Sequence, residues 1–166
     1  MGTLPKGLVI AELGVFIGVF SEQILRAAKP SLLYLVDTWE GEWKSGYEDT
    51  GNYITVNDMS TMIDGLRDRF KDDEVVIAQG TSLNFLRAIK NLDAVYIDST
   101  HTDNMTMKEL QLCKRKGIKH ILGHDYAAKF GVKEAVDKFL IENSDYEMVR
   151  VTDEVNFPSF YMRLKQ

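Results

Sequence analysis

The stretch "VIAELGVFIGVFSEQ", Val9 to Gln23, decides how the chain is read. An apolar run reaches a lone acid at Glu12, two glycines follow at Gly14 and Gly18, and a helix is expected from a cap at Ser21. Such a run reads as a strand buried on both faces, as a parallel sheet requires. Glycines let backbone approach a neighbour or a ligand closely, and helix amides beyond them favour negative charge. The turn is therefore a tight strand-to-helix connection or a ligand cradle.

Working outward, the same alternation recurs. "GLVIAEL" (7–13), "SLLYLVD" (31–37), "EVVIAQG" (74–80), "DAVYIDS" (93–99) and "KHILGHD" (119–125) read as strands. Helical spacing separates them. Ile24, Leu25 and Ala28 share a face before Pro30, and Met59, Met62, Ile63, Leu66 and Phe70 form a core stripe behind a cap at Asp58. Further helices are expected at 82–89, from about Asp103 to Lys116, and through Val132, Ala135, Val136, Phe139 and Leu140. Alternating strands and helices imply right-handed crossovers and a parallel sheet. "YEMVRVT" (146–152) and "FPSFYMRL" (157–164) lie too close together for a crossover, so the last strand must pair antiparallel. The expectation is an α/β, Rossmann-like, doubly wound sheet of seven mostly parallel strands, with an antiparallel C-terminal strand and helices on both faces.

The 166 residues read as a single domain, 1–166, with no repeat or linker. A net charge of −5 argues against holding a nucleic acid by its phosphates. The basic cluster "CKRKG" (113–117) reads instead as the cationic last turn of a helix ending at Gly117. The single cysteine, Cys113, suits a reducing compartment and has no role at the strand ends. The apolar run near the amino terminus is broken by Glu12, so neither a signal peptide nor a membrane span fits, and a cytoplasmic protein is expected. Nothing in the sequence specifies oligomeric state.

In doubly wound sheets, ligands sit beyond the carboxyl ends of the strands at the topological switch point. Here those ends are Glu12–Gly14, Asp37–Trp39, Gln79–Ser82, Asp98–His101 and Gly123–Asp125, and four of the five carry an acid. Asp37 falls 23 residues after Gly14, where an acid can hold ribose hydroxyls. That spacing suggests an adenosine-containing ligand and leaves a dinucleotide open.

Four ordered motifs, "AELGVFIGVFSEQIL", "LYLVDTWEG", "AVYIDSTH" and "ILGHDY…GVKEAVDKF", resemble the class I S-adenosylmethionine-dependent methyltransferases. The likeness is strongest to the small-molecule branch that includes macrocin-type O-methyltransferases, and it runs through nearly the whole chain. It implies that Glu12, Gly14 and Gly18 surround the methionine part of S-adenosylmethionine and that Asp37 holds its ribose. Trp39 would cover the adenine, Gly80, Thr81 and Ser82 would lie at the adenine edge, and Asp98 beside the reacting methyl. His101, His124 and Asp125 would face a small-molecule acceptor. The chain departs from the pattern where "RKGIKH" replaces the usual Pro-Gly-Gly before the fifth strand. With little chain ahead of the first strand, the polar, aromatic-rich segment 40–56 is the expected lid.

Methyl transfer to oxygen requires the acceptor to lose a proton. Either His101 or His124 acts as base, since imidazole titrates near neutrality, or Asp98 and Asp125, joined by His124, bind magnesium or manganese. Two other classes use the same turn: an NAD-dependent oxidoreductase and a non-catalytic nucleoside-binding module. A binding module has no use for Asp98, His101, His124 and Asp125 together, which favours an enzyme.

Overall fold

The computed structural model describes residues 4–40 and 59–165, with only the backbone of 59–61. Its strands are β1 (Val9–Leu13), β2 (Leu32–Asp37), β3 (Val75–Gln79), β4 (Ala94–Ile97), β5 (His120–Gly123), β6 (Tyr146–Val151) and β7 (Phe160–Leu164). They form one sheet in the order β3-β2-β1-β4-β5-β7-β6. β1 to β5 pair parallel, and β7 runs antiparallel between β5 and β6. The doubly wound, mostly parallel sheet read from the sequence is thus the observed fold. Residues 157–159 lie in the connection rather than in β7. Pro158 has no amide for a ladder, and its carbonyl accepts the Tyr126 N–H at 2.8 Å.

The helices are α1 (Val19–Ala28), α2 (Met59–Arg69), α3 (Ser82–Ala88), α4 (Asp103–Arg115) and α5 (Gly131–Glu142). Strand alternation sorts the core into two layers. On one face Ile10, Leu33, Leu35, Ala94, Tyr96 and Leu122 pack with Ile24 of α1 and Leu66 of α2. On the other, Ala11, Leu13, Val95, Ile97, Ile121 and Met162 pack with Leu86, Leu110 and Phe139 of α3, α4 and α5. Every residue of β4 is buried, which is why that strand reads as an unbroken apolar run. Each large aliphatic side chain buried here contributes roughly 1.5–3 kcal/mol.

The basic cluster at 113–117 does end α4. Gly117, at φ 66, donates its N–H to the Lys114 carbonyl, and Ile118 donates to that of Cys113, the paired closure that glycine permits past a helix end. The expected start of α1 at Ser21 is corrected. The helix begins at Val19 with Gly18 as its cap, and Ser21 is buried inside its first turns.

The expected cap Asp58 and, beyond Glu40, the expected lid segment 40–56 lie outside the described residues. Among those described, no helix is long and apolar enough to cross a membrane.

Two glycines hold the switch point together. Gly14 has φ 90, and a Cβ there would stand 2.1 Å from the Asp98 carbonyl oxygen. A Cβ on Gly18 would stand 2.5 Å from Leu66 Cδ2 on α2. Gly14→Ala combines a left-handed backbone with a clash against backbone, so it should cost at least about 2 kcal/mol of stability. A denaturant-midpoint comparison reads this directly, and an unchanged midpoint would contradict the close approach.

Candidate active site

The β1–α1 turn is built around Asp37. Val15 and Phe16 donate their amides to Oδ2 at 2.8 and 2.9 Å, and Trp39 donates to Oδ1 at 3.1 Å. Phe16 takes a left-handed φ of 52 to do so. A carboxylate offers about four acceptor positions, so about one remains for an outside hydroxyl. The acid expected to hold a ribose is therefore first of all a strut of the turn. Trp39 departs from expectation. It is 2% exposed, belongs to the core, and donates its indole N–H to the Phe16 carbonyl at 3.0 Å, so its ring is not presented to cover an adenine. Gly14 and Gly18 likewise make their close approaches to β4 and α2.

Glu12 lies on the same face as Tyr96, one strand away, and is 1% exposed. Its Oε2 accepts the Ser21 hydroxyl at 2.5 Å. Burial pushes this carboxyl up to about 8, with Asp98 and Asp37 adding to the rise and Ser21 opposing it. At the neighbouring strand end, Gly80 donates its N–H to the Asp37 carbonyl at 2.8 Å. Thr81 caps α3 by accepting the Asn84 amide, and Ser82 is the first residue of that helix. Gly80, Thr81 and Ser82 thus flank the Asp37 turn.

The carboxyl ends of β4 and β5 bring Asp98, His101, His124 and Asp125 together. His101 Nε2 lies 3.0 Å from Asp125 Oδ2 and 3.5 Å from Asp98 Oδ1. His124 Nδ1 is 3.3 Å from Asp125 Oδ1 and 3.9 Å from Asp98 Oδ1. The β5–α5 connection sets this geometry. Asp125 takes a left-handed φ of 57. Gly131 donates to the His101 carbonyl, and a Cβ on it would stand 2.2 Å from the Asp103 amide. Asp125 is 3% exposed, yet among the described residues its Oδ1 has no hydrogen-bond partner, because the contact with His124 lacks hydrogen-bond alignment.

Hydrogen bonding to Asp125, then to Asp98, pushes His101 up to about 10. Asp125 likewise raises His124. Burial works to raise Asp125 itself, but the two neighbouring imidazoles outweigh it and hold the carboxyl well below the usual range. The donors that converge as metal ligands are Asp98, His101 and Asp125, within 4.8 Å of one another. His124, expected as the third ligand, sits at the edge of that set.

Several neighbours escaped the sequence reading. Phe157 of the β6–β7 connection stacks parallel to His124 at 6.3 Å, and Phe130 meets His101 edge-on at 5.5 Å. Lys129 covers the Phe157 ring at 3.9 Å. Beneath the loop, fully buried Glu109 accepts the Ser99 hydroxyl at 2.5 Å. Aromatic residues in loops and an acid within an amphipathic helix carry no periodic signal that would have marked them.

Comparison with known proteins bears on the fold alone. No protein-family model matches the chain, and no curated protein matches it. Among solved structures, the M1A22 tRNA methyltransferase TrmK of B. subtilis is similar over 99% of this chain, with a TM-score of 0.66 and 14% identity. The chain spans 63% of that structure. An rRNA methylase from Streptococcus thermophilus is similar over 98% of this chain and 90% of its own, at TM-score 0.64 and 10% identity. SMU.1697c from Streptococcus mutans, solved in complex with SAH, covers 98% and 91%, at 0.63 and 11%. The fold is thus the Rossmann-like one found in S-adenosylmethionine-dependent methyltransferases.

The buried Glu12 carboxyl makes stability depend on pH. The folded chain keeps this proton up to about pH 8, whereas the unfolded chain loses it near 4.5. The folded state therefore binds more protons between those values. Stability from this group is full below about 4.5 and falls as pH rises, by up to about 1.4 kcal/mol per unit. Glu12→Gln should flatten the decline in denaturant titrations between pH 5 and 8 and be the more stable form at the alkaline end. An equal slope in both proteins would show that Glu12 is not held neutral.

Proposed function

We propose that the protein is an S-adenosylmethionine-dependent methyltransferase that methylates oxygen on a small molecule. The observation that carries this is the meeting of Asp98, His101, His124 and Asp125 beside the Gly14 turn, in a fold shared with methyltransferases. Glu12, Gly14, Gly18, Asp37, Gly80, Thr81 and Ser82 form the cofactor side, and Asp98 stands between the two halves. S-adenosylmethionine supplies an activated methyl, which passes to the acceptor oxygen as its bond to sulfur breaks. The chain's own residues position the acceptor in line and take up its proton.

Both imidazoles are pushed toward the charged form by the carboxylates they touch. In that form neither ring accepts a proton, whereas a divalent ion between Asp98 and Asp125 would displace the His101 proton and supply the positive charge that the two carboxylates draw there. The residues present fit one. They offer two hard oxygens and an imidazole, and a buried Asp125 oxygen has no hydrogen-bond partner among the described residues. Asp98, His101 and Asp125 would hold magnesium or manganese, which would lower the pKa of an acceptor hydroxyl. A small molecule is favoured over RNA because the chain carries −5 overall, although two of the similar structures act on RNA.

Calorimetry should show binding of S-adenosylmethionine or SAH and none of NAD; the reverse would overturn the methyltransferase reading. Asp37→Ala should weaken cofactor binding by about 1–3 kcal/mol.

With a methyl acceptor found by screening, Asp98→Ala and His124→Ala should abolish turnover while cofactor affinity stays within about tenfold, roughly 1.4 kcal/mol. Normal turnover in both variants would remove the catalytic assignment and leave the cofactor side standing. Exhaustive chelation should abolish activity, and full activity after it would assign proton removal to a histidine.

A further inference from the structure

A pocket of about 290 Å³ opens on the α1 face of the sheet, outside the cluster already described. Its position follows from strand register. Glu12, Tyr96, Leu122, Tyr161 and Arg150 form one row across β1, β4, β5, β7 and β6. Tyr96, Leu122, Tyr161 and Arg150 line the pocket, with Phe20 of α1 above them. The parallel ladder continues one residue past each strand, through Asp98 N–H to the Leu13 carbonyl and His124 N–H to that of Ile97. Asp98 and His124 therefore project on the same face as Tyr96 and Leu122, about 7 Å further toward the mouth. By this register Tyr96 and Leu122 of the pocket lie one step deeper along the same sheet face than Asp98 and His124.

Its chemistry is selective. Phe20 and Tyr96 lie 4.2 Å apart with their rings tilted by 33°, and Tyr161 adds a third ring. Arg163 on β7 is engaged by Glu147 at 2.8 Å, whereas Arg150 has no carboxylate partner among the described residues. Glu154, the acid in the lining, is engaged by the Thr152 hydroxyl at 2.6 Å. An arginine at an aromatic-lined pocket matches a planar carboxylate ligand, because its guanidinium forks onto two oxygens and its neighbours take a ring.

Resting on the methyl-transfer assignment above, we infer that this is the acceptor pocket and that the acceptor is a hydroxylated aromatic carboxylate. Arg150 holds the carboxylate, Phe20, Tyr96 and Tyr161 hold the ring, and the hydroxyl points toward Asp98 and His124. On reaction the acceptor oxygen bonds to the methyl carbon, the carbon–sulfur pair leaves with sulfur, and the hydroxyl proton passes to the Asp98 carboxylate.

The test uses 4-hydroxybenzoate, 3,4-dihydroxybenzoate and their methyl esters in calorimetry with the full chain, alongside SAH. At least one acid should bind the wild type at least about tenfold tighter than its ester. Arg150→Ala should lose that preference and Arg150→Lys should recover part of it, with SAH affinity and melting temperature unchanged, since Arg150 is exposed. Failure of both acids to bind, equal binding of acid and ester, or full retention in Arg150→Ala would each overturn the inference. SAH separates the two levels. If it binds while the acids do not, the pocket assignment alone fails. If the acids bind through Arg150 while SAH does not, the pocket takes such acids but methyl transfer is lost.

Discussion

The missing side chain at Gly14 is the constraint on which the candidate site depends. Because no Cβ stands there, the ends of β1 and β4 meet closely enough for the Asp98 carbonyl to occupy that volume. The chain then turns through left-handed backbone at Gly14 and Phe16 into α1. That turn is held by charge as well as shape. Asp37 collects three amides from two loops, tying the ends of β1 and β2 into one unit. A larger residue at Gly14 would separate Asp98 from the turn, and with it the two halves of the proposed site.

Acids crowd this mouth, and each is stabilised differently. Glu12 is kept neutral by burial and bonded to Ser21. Asp37 accepts three backbone amides. Asp125 is held anionic by two imidazoles. Like charges so close in a low-dielectric interior would otherwise repel strongly. Protonation, amide donors and cationic rings are three separate ways of lowering that cost. Asp98 lies where all of these meet.

The same economy explains the corrected details. Ser21 has the residue type of a helix cap, but a buried carboxyl needed a donor, and the hydroxyl turned inward one turn later. Trp39 follows the ribose-type acid as a covering aromatic would, yet its amide and indole N–H are both used to close the turn. In each case a local preference gave way to a buried polar group that had to be satisfied.

The sequence by itself determined the order of strands and helices, the two-layer core and the acids at the strand ends. Each of these is written in local periodicity: unbroken apolar runs such as "DAVYIDS", stripes such as Ile63, Leu66 and Phe70, and punctuation such as Gly117. It also placed Asp98, His101, His124 and Asp125 at adjacent strand ends, because parallel crossovers carry every strand end to one side. Only the tertiary structure decided that His101 converges with the two aspartates, that Phe130 and Phe157 wall the imidazoles, and that Arg150 shares a row with Tyr96. Those relations depend on register between strands far apart in the chain and on the path of the β5–α5 connection. Sequence spacing carries no record of distance across a sheet, and only pairing turns an order of residues into a pocket.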